Sequence, residues 1–243
     1  MATDAPTILA TSGGYRPGHR IRFEFADLLH YAVDLSGVSS AVPRVCHIGT
    51  ASGDNRPFQQ DMSEAAREAG FDLTHLSLFP MPNLGDVEGH LMAQDVVWVN
   101  GGSVANLLAV WRVHGVDEIL AECWRAGVVL GGVSAGSLCW HVGGTTDSYG
   151  PDLRPVTNGL GLIPTSNGVH YDSEEQRRPL YHRLVADGTL PPGHATDDGV
   201  GLVYRGTELI EAVADRPGTA AYRVERGPDG TAVETRLEPR RLA

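Results

Sequence analysis

The first 145 residues alternate between short apolar runs and segments whose apolar residues recur at helical spacing. Each apolar run ends at glycine, serine or asparagine, which predicts buried strands followed by turns. The predicted strands are at about 7–10, 42–48, 71–78, 96–99 and 128–130. The predicted helices are at about 22–35, 57–69, 89–93, 104–114 and 116–125. This alternation indicates an α/β layered fold with a mostly parallel sheet.

The pattern changes after Gly143, where a turn-rich stretch begins. Near the end of the chain, four short apolar segments predict strands joined in hairpins, at 199–204, 208–213, 220–225 and 231–236. The sequence contains no low-complexity linker and no internal repeat. We therefore expect one domain over residues 1–243, with a β-rich C-terminal extension, since α/β proteins often fill this length with a single core.

Charge and cysteine content exclude several classes of function. A formal net charge of −11 and a pI near 5.3 argue against a nucleic-acid partner, which would need clustered basic residues. No apolar stretch approaches the roughly 20 residues that cross a bilayer, and the N-terminus does not resemble a signal peptide. Three cysteines without CxxC spacing fit reduced thiols better than disulfides or a zinc site. We expect a cytoplasmic protein without metal or cofactor, and without a nucleic-acid or membrane partner.

The segment Gly132-Val-Ser134-Ala-Gly136 matches the pattern Gly-x-Ser-x-Gly directly after a predicted strand. A sharp turn from strand to helix holds such a serine in a strained conformation, and the flanking glycines leave room for neighbouring chain. The hydroxyl then lies at a helix N-terminus, where amide groups favour developing negative charge. The pattern also occurs in glycine-rich helix starts that only pack closely against a strand. Its context favours Ser134 as a nucleophile.

A serine nucleophile needs a base, and the base needs an orienting group. His170 follows Ser134 in a segment that resembles a loop over the strand ends, whereas His19, His47 and His141 remain alternatives. Asp147 and Asp152 lie between Ser134 and His170 and are the first candidates for the acid. The remaining acid candidates are Asp172, Glu174 and Glu175. Backbone amides at Ala135 and in the pair Gly101-Gly102 are candidates for the oxyanion hole.

Four segments together resemble the peptidase E (dipeptidase E, α-aspartyl dipeptidase) family of serine peptidases. They are Val99-Asn-Gly-Gly-Ser-Val-Ala-Asn-Leu-Leu108, Gly131-Gly-Val-Ser-Ala-Gly-Ser137, Gly143-Gly-Thr-Thr-Asp147 and Asn167-Gly-Val-His170. The resemblance extends over residues 7–204, and its Ser-Ala-Gly segment is the most specific part. It implies a three-layer α/β sandwich similar to class I glutamine amidotransferases.

The resemblance also implies residue roles. It places the nucleophile at Ser134, the base at His170, the orienting acid at Asp147, and the oxyanion amides at Gly102 and Ala135. The acid varies among related members, some of which use a glutamate. The chain departs from the family at residues 100–103, where Asn-Gly-Gly-Ser stands in place of the more usual three glycines.

The resemblance implies a small peptide as substrate, with dipeptides that begin with aspartate as the best-known case. An acidic side chain is best bound by arginine, for which Arg16, Arg177 and Arg178 are candidates. A free N-terminus needs an acid, for which Asp54 or Glu174 could serve. A homodimer is compatible with the sequence, which does not determine the oligomeric state.

Three alternatives to a serine dipeptidase follow from the same residues. One is a peptidase similar to cyanophycinase. Another is an esterase of the α/β-hydrolase type, although that fold usually places its acid and histidine after further strand–helix units. The third is an amidotransferase-like binding module without catalysis, which the presence of His170 disfavours.

Overall fold

The computed structural model describes residues 5–39 and 42–242, which form sixteen strands and seven α-helices. The strands are β1 (Thr7–Thr11), β2 (Tyr15–Pro17), β3 (Phe23–Phe25), β4 (Arg44–Ile48), β5 (Asp72–Leu76), β6 (Val96–Val99), β7 (Val129–Val133), β8 (His141–Thr146), β9 (Arg154–Val156), β10 (Ile163–Gly168), β11 (Gly193–Thr196), β12 (Val200–Arg205), β13 (Glu208–Ala214), β14 (Ala221–Arg226), β15 (Ala232–Leu237) and β16 (Arg240–Arg241). The helices are α1 (Asp27–Ser36), α2 (Arg56–Ala69), α3 (Val87–Met92), α4 (Val104–His114), α5 (Val116–Arg125), α6 (Ala135–Leu138) and α7 (Arg177–Ala186).

The main sheet has eight strands in the order β16-β13-β12-β1-β7-β6-β4-β5. The five adjacent strands β1, β7, β6, β4 and β5 are parallel to one another. β12 pairs antiparallel with β1, and β13 pairs antiparallel with β12. Parallel strands place all their carboxyl ends at one edge of the sheet, where ligand sites of open α/β sheets form. The ends of β1, β6 and β7 therefore lie side by side.

Helices cover both faces of the main sheet. Alternate residues of a strand point to opposite sides, and in β6 the residues on both sides are apolar and pack against helices. On one face, Val97 and Val99 of β6 belong to a hydrophobic cluster that contains Leu107 and Trp111 of α4. On the other face, Val96 and Trp98 belong to a second cluster, which contains residues of α1 and α2. These helix–sheet–helix layers confirm the predicted three-layer α/β sandwich with a mostly parallel sheet.

A second sheet of six strands has the order β15-β14-β11-β10-β8-β9. Its centre is parallel, with β10 between β8 and β11, and β14 and β15 extend it as an antiparallel hairpin. The four hairpin strands predicted near the C-terminus are all present, and they confirm the β-rich extension. They are divided between the two sheets: β12 and β13 join the main sheet, whereas β14 and β15 join the second.

The turn-rich appearance of the segment after Gly143 concealed regular structure. It contains the end of β8, the strands β9, β10 and β11, and also α7, which sequence patterning did not predict. The helix predicted at 22–35 begins later, at Asp27, because Phe23–Phe25 pairs with Tyr15–Pro17 as a short hairpin. The expectation of a single domain stays a prediction.

Candidate active site

Ser134 lies in a sharp turn between β7 and α6. Its backbone angles, φ 58° and ψ −110°, belong to a region that non-glycine residues avoid. Neighbouring chain holds this conformation in place: the Ser134 amide donates to the Thr11 carbonyl at 3.0 Å, and the Ser134 carbonyl accepts from the Leu138 amide at 2.9 Å. Such strain costs about 1–3 kcal/mol and persists where the surroundings impose it. The turn therefore has the geometry predicted for a nucleophile elbow.

The two glycines that flank Ser134 are required by a close approach of β6. A Cβ atom at Gly132 would lie 2.5 Å from the Val99 carbonyl oxygen, and one at Gly136 would overlap the same oxygen. Because β6 and β7 are adjacent parallel strands, this carbonyl sits directly against the turn. The Gly-x-Ser-x-Gly spacing is thus explained by packing around the elbow.

The loop after β6 lies against the serine. A Cβ atom at Gly101 would be 3.3 Å from the Ser134 Cβ and 3.5 Å from the Val133 carbonyl oxygen, so Gly101 packs closely against the turn. Gly102 adopts φ +135°, and a side chain there would overlap the Ala51 carbonyl oxygen. The Ala135 amide is at the first position of α6, where helical amides have no intrahelical acceptor. Neither the Gly102 amide nor the Ala135 amide donates a hydrogen bond to any of the residues that the structure describes. Both can therefore donate to a ligand.

His170 follows β10 and is held against the same edge of the main sheet. Its amide donates to the Ser12 hydroxyl oxygen at 3.1 Å. Ser12 directly follows Thr11, whose carbonyl accepts from the Ser134 amide. The backbones of the serine and the histidine are therefore anchored on adjacent residues at the end of β1. His170 has φ 53°, a second non-glycine residue in the left-handed region near Ser134.

The imidazole of His170 is oriented by a carboxylate. Its Nδ1 lies 2.6 Å from Asp198 Oδ1, and this hydrogen bond is the main cause that lowers the pKa of Asp198. An ionised Asp198 accepts the Nδ1 proton, which leaves the Nε2 lone pair free to accept another. In the part of the chain that the structure describes, the hydrogen bonds of the His170 amide and imidazole go to Ser12 and Asp198, and none joins its Nε2 to Ser134 Oγ.

The carboxylate that contacts His170 is that of Asp198, whereas the family resemblance implied Asp147 as the orienting acid. Asp198 occupies the turn between β11 and β12, and its amide is in turn held by Asp172 Oδ1 at 2.8 Å. β10 and β11 run parallel with Gly168 opposite Ala195, so the residues that follow each strand meet at one edge. This pairing is long-range, and an Asp-Asp-Gly turn in the sequence carries no sign of it.

Asp147 instead forms part of the wall of a cavity of about 340 Å³ that contains Ser134. Glu174 and Arg177 line the same cavity, as does Gly102. Arg177 is buried, and its Nε donates to Glu174 Oε2 at 2.7 Å while its Nη1 donates to the Thr145 carbonyl. The cavity therefore presents one guanidinium and two carboxylates beside the serine.

The other arginines considered from sequence are engaged elsewhere. Arg178 lies over the rings of Tyr171 and Tyr222 and pairs with Glu234. Arg16 forms exposed ion pairs with carboxylates of the β3–α1 region. Of the three candidates for an acidic side chain, the structure brings only Arg177 to the cavity that contains Ser134.

Two of the alternative histidines are core residues. Burial lowers the pKa of both His47 and His141 to about 3, so both are neutral at ordinary pH. His141 bonds the Ser137 carbonyl and the Tyr204 hydroxyl, and His47 bonds the ring of His75. Asp54, considered for a free N-terminus, is buried and accepts from the amides at the start of the loop after β5.

Among the described residues, no group of three or more His, Cys, Asp or Glu side chains is placed to hold a metal ion. Over the same residues, no helix is both long enough and apolar enough to cross a membrane.

Comparisons with known proteins identify the family of the chain. The model of peptidase family S51 matches residues 8–212. An uncharacterized peptidase of Bacillus subtilis, YgaJ, is 42% identical over 182 residues, which cover 75% of this chain and 78% of that protein. Peptidase E of Streptomyces coelicolor is 28% identical over 145 residues, which cover 59% of this chain and 58% of that protein.

Two solved structures share the fold. A peptidase from an acI-B1 Actinobacterium superposes with a TM-score of 0.66 at 16% identity, covering 97% of this chain and 95% of its own. A putative peptidase E from Listeria monocytogenes EGD-e superposes with a TM-score of 0.59 at 20% identity, covering 85% of this chain and 97% of its own. The family model covers most of the chain and the YgaJ alignment three quarters of it, so the chain belongs to peptidase family S51.

Proposed function

We propose that the protein is a serine peptidase that hydrolyses short peptides through an acyl-enzyme on Ser134. The observation that carries the proposal is the strained serine at the end of β7 together with the His170–Asp198 pair. The Ser134 amide bonds Thr11 and the His170 amide bonds Ser12, so adjacent residues of the chain hold the serine and the histidine. Membership of a peptidase family supplies the reaction class.

In the first half of the reaction, Ser134 Oγ attacks the carbonyl carbon of the scissile bond and transfers its proton to His170 Nε2. Asp198 holds the imidazole by Nδ1 and stabilises the positive charge that forms on it. The amides of Gly102 and Ala135 donate to the developing oxyanion, which costs no reorganisation because both are already fixed without an acceptor. His170 then gives the proton to the leaving amine, and the peptide bond breaks.

In the second half, a water molecule replaces the departed amine beside His170. The imidazole takes one proton from this water, and the resulting hydroxide attacks the ester carbonyl in the same oxyanion hole. Collapse of the tetrahedral intermediate returns the proton to Ser134 Oγ and releases the acid product. The same five groups thus serve both steps.

The cavity beside Ser134 supports dipeptides with N-terminal aspartate as substrates. Such a residue carries an ammonium group and a carboxylate, and the cavity presents Asp147 and Glu174 together with Arg177. In this proposal Arg177 binds the substrate carboxylate, whereas Asp147 binds the ammonium group. The Arg177 Nε donates to Glu174 and its Nη1 to the Thr145 carbonyl, so Nη2 is the group that donates to the substrate. Glu174 is already paired, and Asp147 is the acid that remains for the N-terminus.

A fluorophosphonate probe tests the serine mechanism. The wild type is expected to become labelled at Ser134, and Ser134→Ala and His170→Ala are expected to lose labelling. Ser137→Ala is the matched control, since it removes a hydroxyl from the same helix and leaves the nucleophile in place. Labelling of Ser134→Ala at the wild-type rate would exclude the mechanism. Absence of labelling in the wild type would favour the binding module without catalysis.

A panel of dipeptides with leucine in second position tests the substrate. Asp-Leu is expected to be cleaved with a higher kcat/KM than Ala-Leu or Leu-Leu, and Arg177→Met is expected to reduce that advantage. Equal turnover of Asp-Leu and Leu-Leu by the wild type would rule out the aspartate preference while leaving the peptidase assignment intact. We also propose a cytoplasmic location, which the free, buried thiols of Cys46, Cys123 and Cys139 support.

A further inference from the structure

A second cavity is lined in part by Asn100, which in the loop after β6 precedes Gly102 of the cavity that contains Ser134. Its volume is about 410 Å³, within the usual range for small-molecule sites. The residues that line it are Arg22, Ser52, Asn55, Pro57, Phe58 and Asn100. Asn100 directly precedes Gly101, where a Cβ atom would lie 3.3 Å from the Ser134 Cβ. The lining of this cavity therefore includes the neighbour of a residue that packs closely against the nucleophile turn.

A chain of directed hydrogen bonds fixes the orientation of the Asn100 side chain. The Trp98 indole N–H can only donate, and it donates to the Tyr15 hydroxyl oxygen at 2.9 Å. The Tyr15 hydroxyl then donates to Asn100 Oδ1 at 3.3 Å. Burial raises the pKa of Tyr15, so its proton stays in place. Asn100 Oδ1 is thereby committed as an acceptor, and Nδ2 must point elsewhere.

Asn100 is 92% buried, yet its Nδ2 has no acceptor among the described residues. A second amide in the lining, that of Asn55, is committed in the same way, because its Oδ1 accepts from the Phe58 amide at 3.0 Å. Arg22 adds a guanidinium of which only Nη1 is engaged, by Asp61. The Ser52 hydroxyl donates to the Gly49 carbonyl and adds no donor. The lining therefore offers N–H donors from three side chains and no carboxylate.

The rest of the cavity wall is apolar and firmly packed. The Phe58 ring stacks on that of Phe23 at 5.3 Å and meets that of Tyr15 edge-on at 5.8 Å. Pro57 adds a rigid ring beside it. The space thus suits an apolar side chain next to a group that accepts several hydrogen bonds.

The two cavities differ in charge. Asp147 and Glu174 make one of them rich in carboxylates, whereas Arg22 and Asn100 make the other rich in donors. A dipeptide has a positive end and a negative end, so this arrangement would hold it in one direction across Ser134. The negative end of the dipeptide is its C-terminal carboxylate.

We infer that this second cavity binds the leaving residue of the substrate, with Asn100 Nδ2 and the Arg22 guanidinium donating to its C-terminal α-carboxylate and Phe58 contacting its side chain. The inference rests on the proposed peptidase function and deepens it: the enzyme is restricted to peptides whose second residue is the last. It makes Asn100 and Arg22 specificity-determining residues.

The test compares two substrates that differ only at the C-terminus, Asp-Leu and Asp-Leu-amide. The measured quantity is the ratio of their kcat/KM values, free acid over amide. A charge-assisted hydrogen bond lost from the donors of the cavity corresponds to about tenfold or more, so the wild-type ratio is expected to exceed about ten.

The variant Asn100→Asp keeps the acceptor for Tyr15 but replaces the donor with a second oxygen. It is expected to lower the ratio about tenfold or more, and Arg22→Gln is expected to lower it independently by a smaller factor because Arg22 is 69% exposed. Asn106→Asp makes the same chemical change at an exposed position of α4 outside both cavities and is expected to leave the ratio unchanged. Should Asn100→Asp not fold, Arg22→Gln on the surface still carries the test.

A wild-type ratio near one, or equal ratios in Asn100→Asp and Asn106→Asp, would overturn the inference, as would failure to cleave either substrate. The fluorophosphonate reaction of the wild type separates this failure from that of the proposed function. If Ser134 is labelled and the ratio is one, only the role of the second cavity is wrong. If Ser134 is not labelled, the peptidase mechanism itself is wrong.

Discussion

The identity of the orienting acid gives the sharpest prediction, since sequence and structure favour different residues. Replacing Asp198 by Asn keeps the shape of the side chain but removes the negative charge that faces His170 Nδ1 at 2.6 Å. In the transition state the imidazole is positively charged. Two unit charges about 4 Å apart at an effective dielectric of about 20 attract by about 4 kcal/mol.

The side chains of His170 and Asp198 are 22% and 28% exposed, so solvent screens part of this attraction and about 3 kcal/mol remains. That corresponds to about 10² in rate. An asparagine amide can also donate to Nδ1 and hold the ring in the wrong tautomer, and such an error costs up to about 10⁴. We therefore expect Asp198→Asn to lower kcat by about 10² to 10⁴, with a small change in KM.

The assay is steady-state hydrolysis of Asp-Leu, together with the rate of fluorophosphonate labelling. Asp147→Asn is the comparison, because Asp147 lines the cavity without contacting His170. It is expected to raise KM while leaving the labelling rate within about tenfold of the wild type, because a binding contact affects the substrate and not the activation of Ser134. If Asp147→Asn abolished labelling and Asp198→Asn left it near the wild-type rate, the assignment of Asp198 would be refuted.

Two further predictions concern packing and pH. Gly136→Ala is expected to lower Tm by several degrees, since its Cβ would overlap the Val99 carbonyl and such overpacking costs about 1–3 kcal/mol. Gly85→Ala serves as the control in the same calorimetric scan, because a Cβ atom at Gly85 would have no atom within 4 Å. Equal Tm values for the two variants would contradict the packing argument. Burial lowers the pKa of His141 from 6.5 to about 3, so between these pH values the unfolded chain binds more protons than the folded one. The contribution of this residue to the free energy of unfolding is therefore fully present above pH 6.5 and is lost as the pH falls toward 3. In urea unfolding, this residue is expected to lower the free energy of unfolding by up to about 1.4 kcal/mol for each pH unit below 6.5. His141→Gln is expected to reduce this dependence of stability on pH, whereas His114→Gln on the surface is not. An unchanged pH dependence in His141→Gln would exclude the explanation.

Much of the fold was predictable from local pattern. Strand and helix periodicity in the first half of the chain is a property of neighbouring residues, so the buried strand at 96–99 and the helices at 104–114 and 116–125 were found with their bounds nearly correct. The segment with α7 was missed, because this helix buries parts of several faces, including the charged Arg177, and has no clear apolar stripe. The second sheet was missed as a sheet for a similar reason, since glycines and polar residues interrupt β8 and β10.

The sequence by itself determined the nucleophile turn. Gly132, Ser134 and Gly136 lie within five residues, and their spacing follows from a local steric requirement that any chain with this turn must meet. Tertiary structure alone decided the partner of His170. Asp198 reaches the imidazole because β10 and β11 pair in parallel, whereas Asp147, which follows β8, lines the cavity beside Ser134. A hydrogen bond between residues 28 apart depends on strand order, which local sequence does not encode.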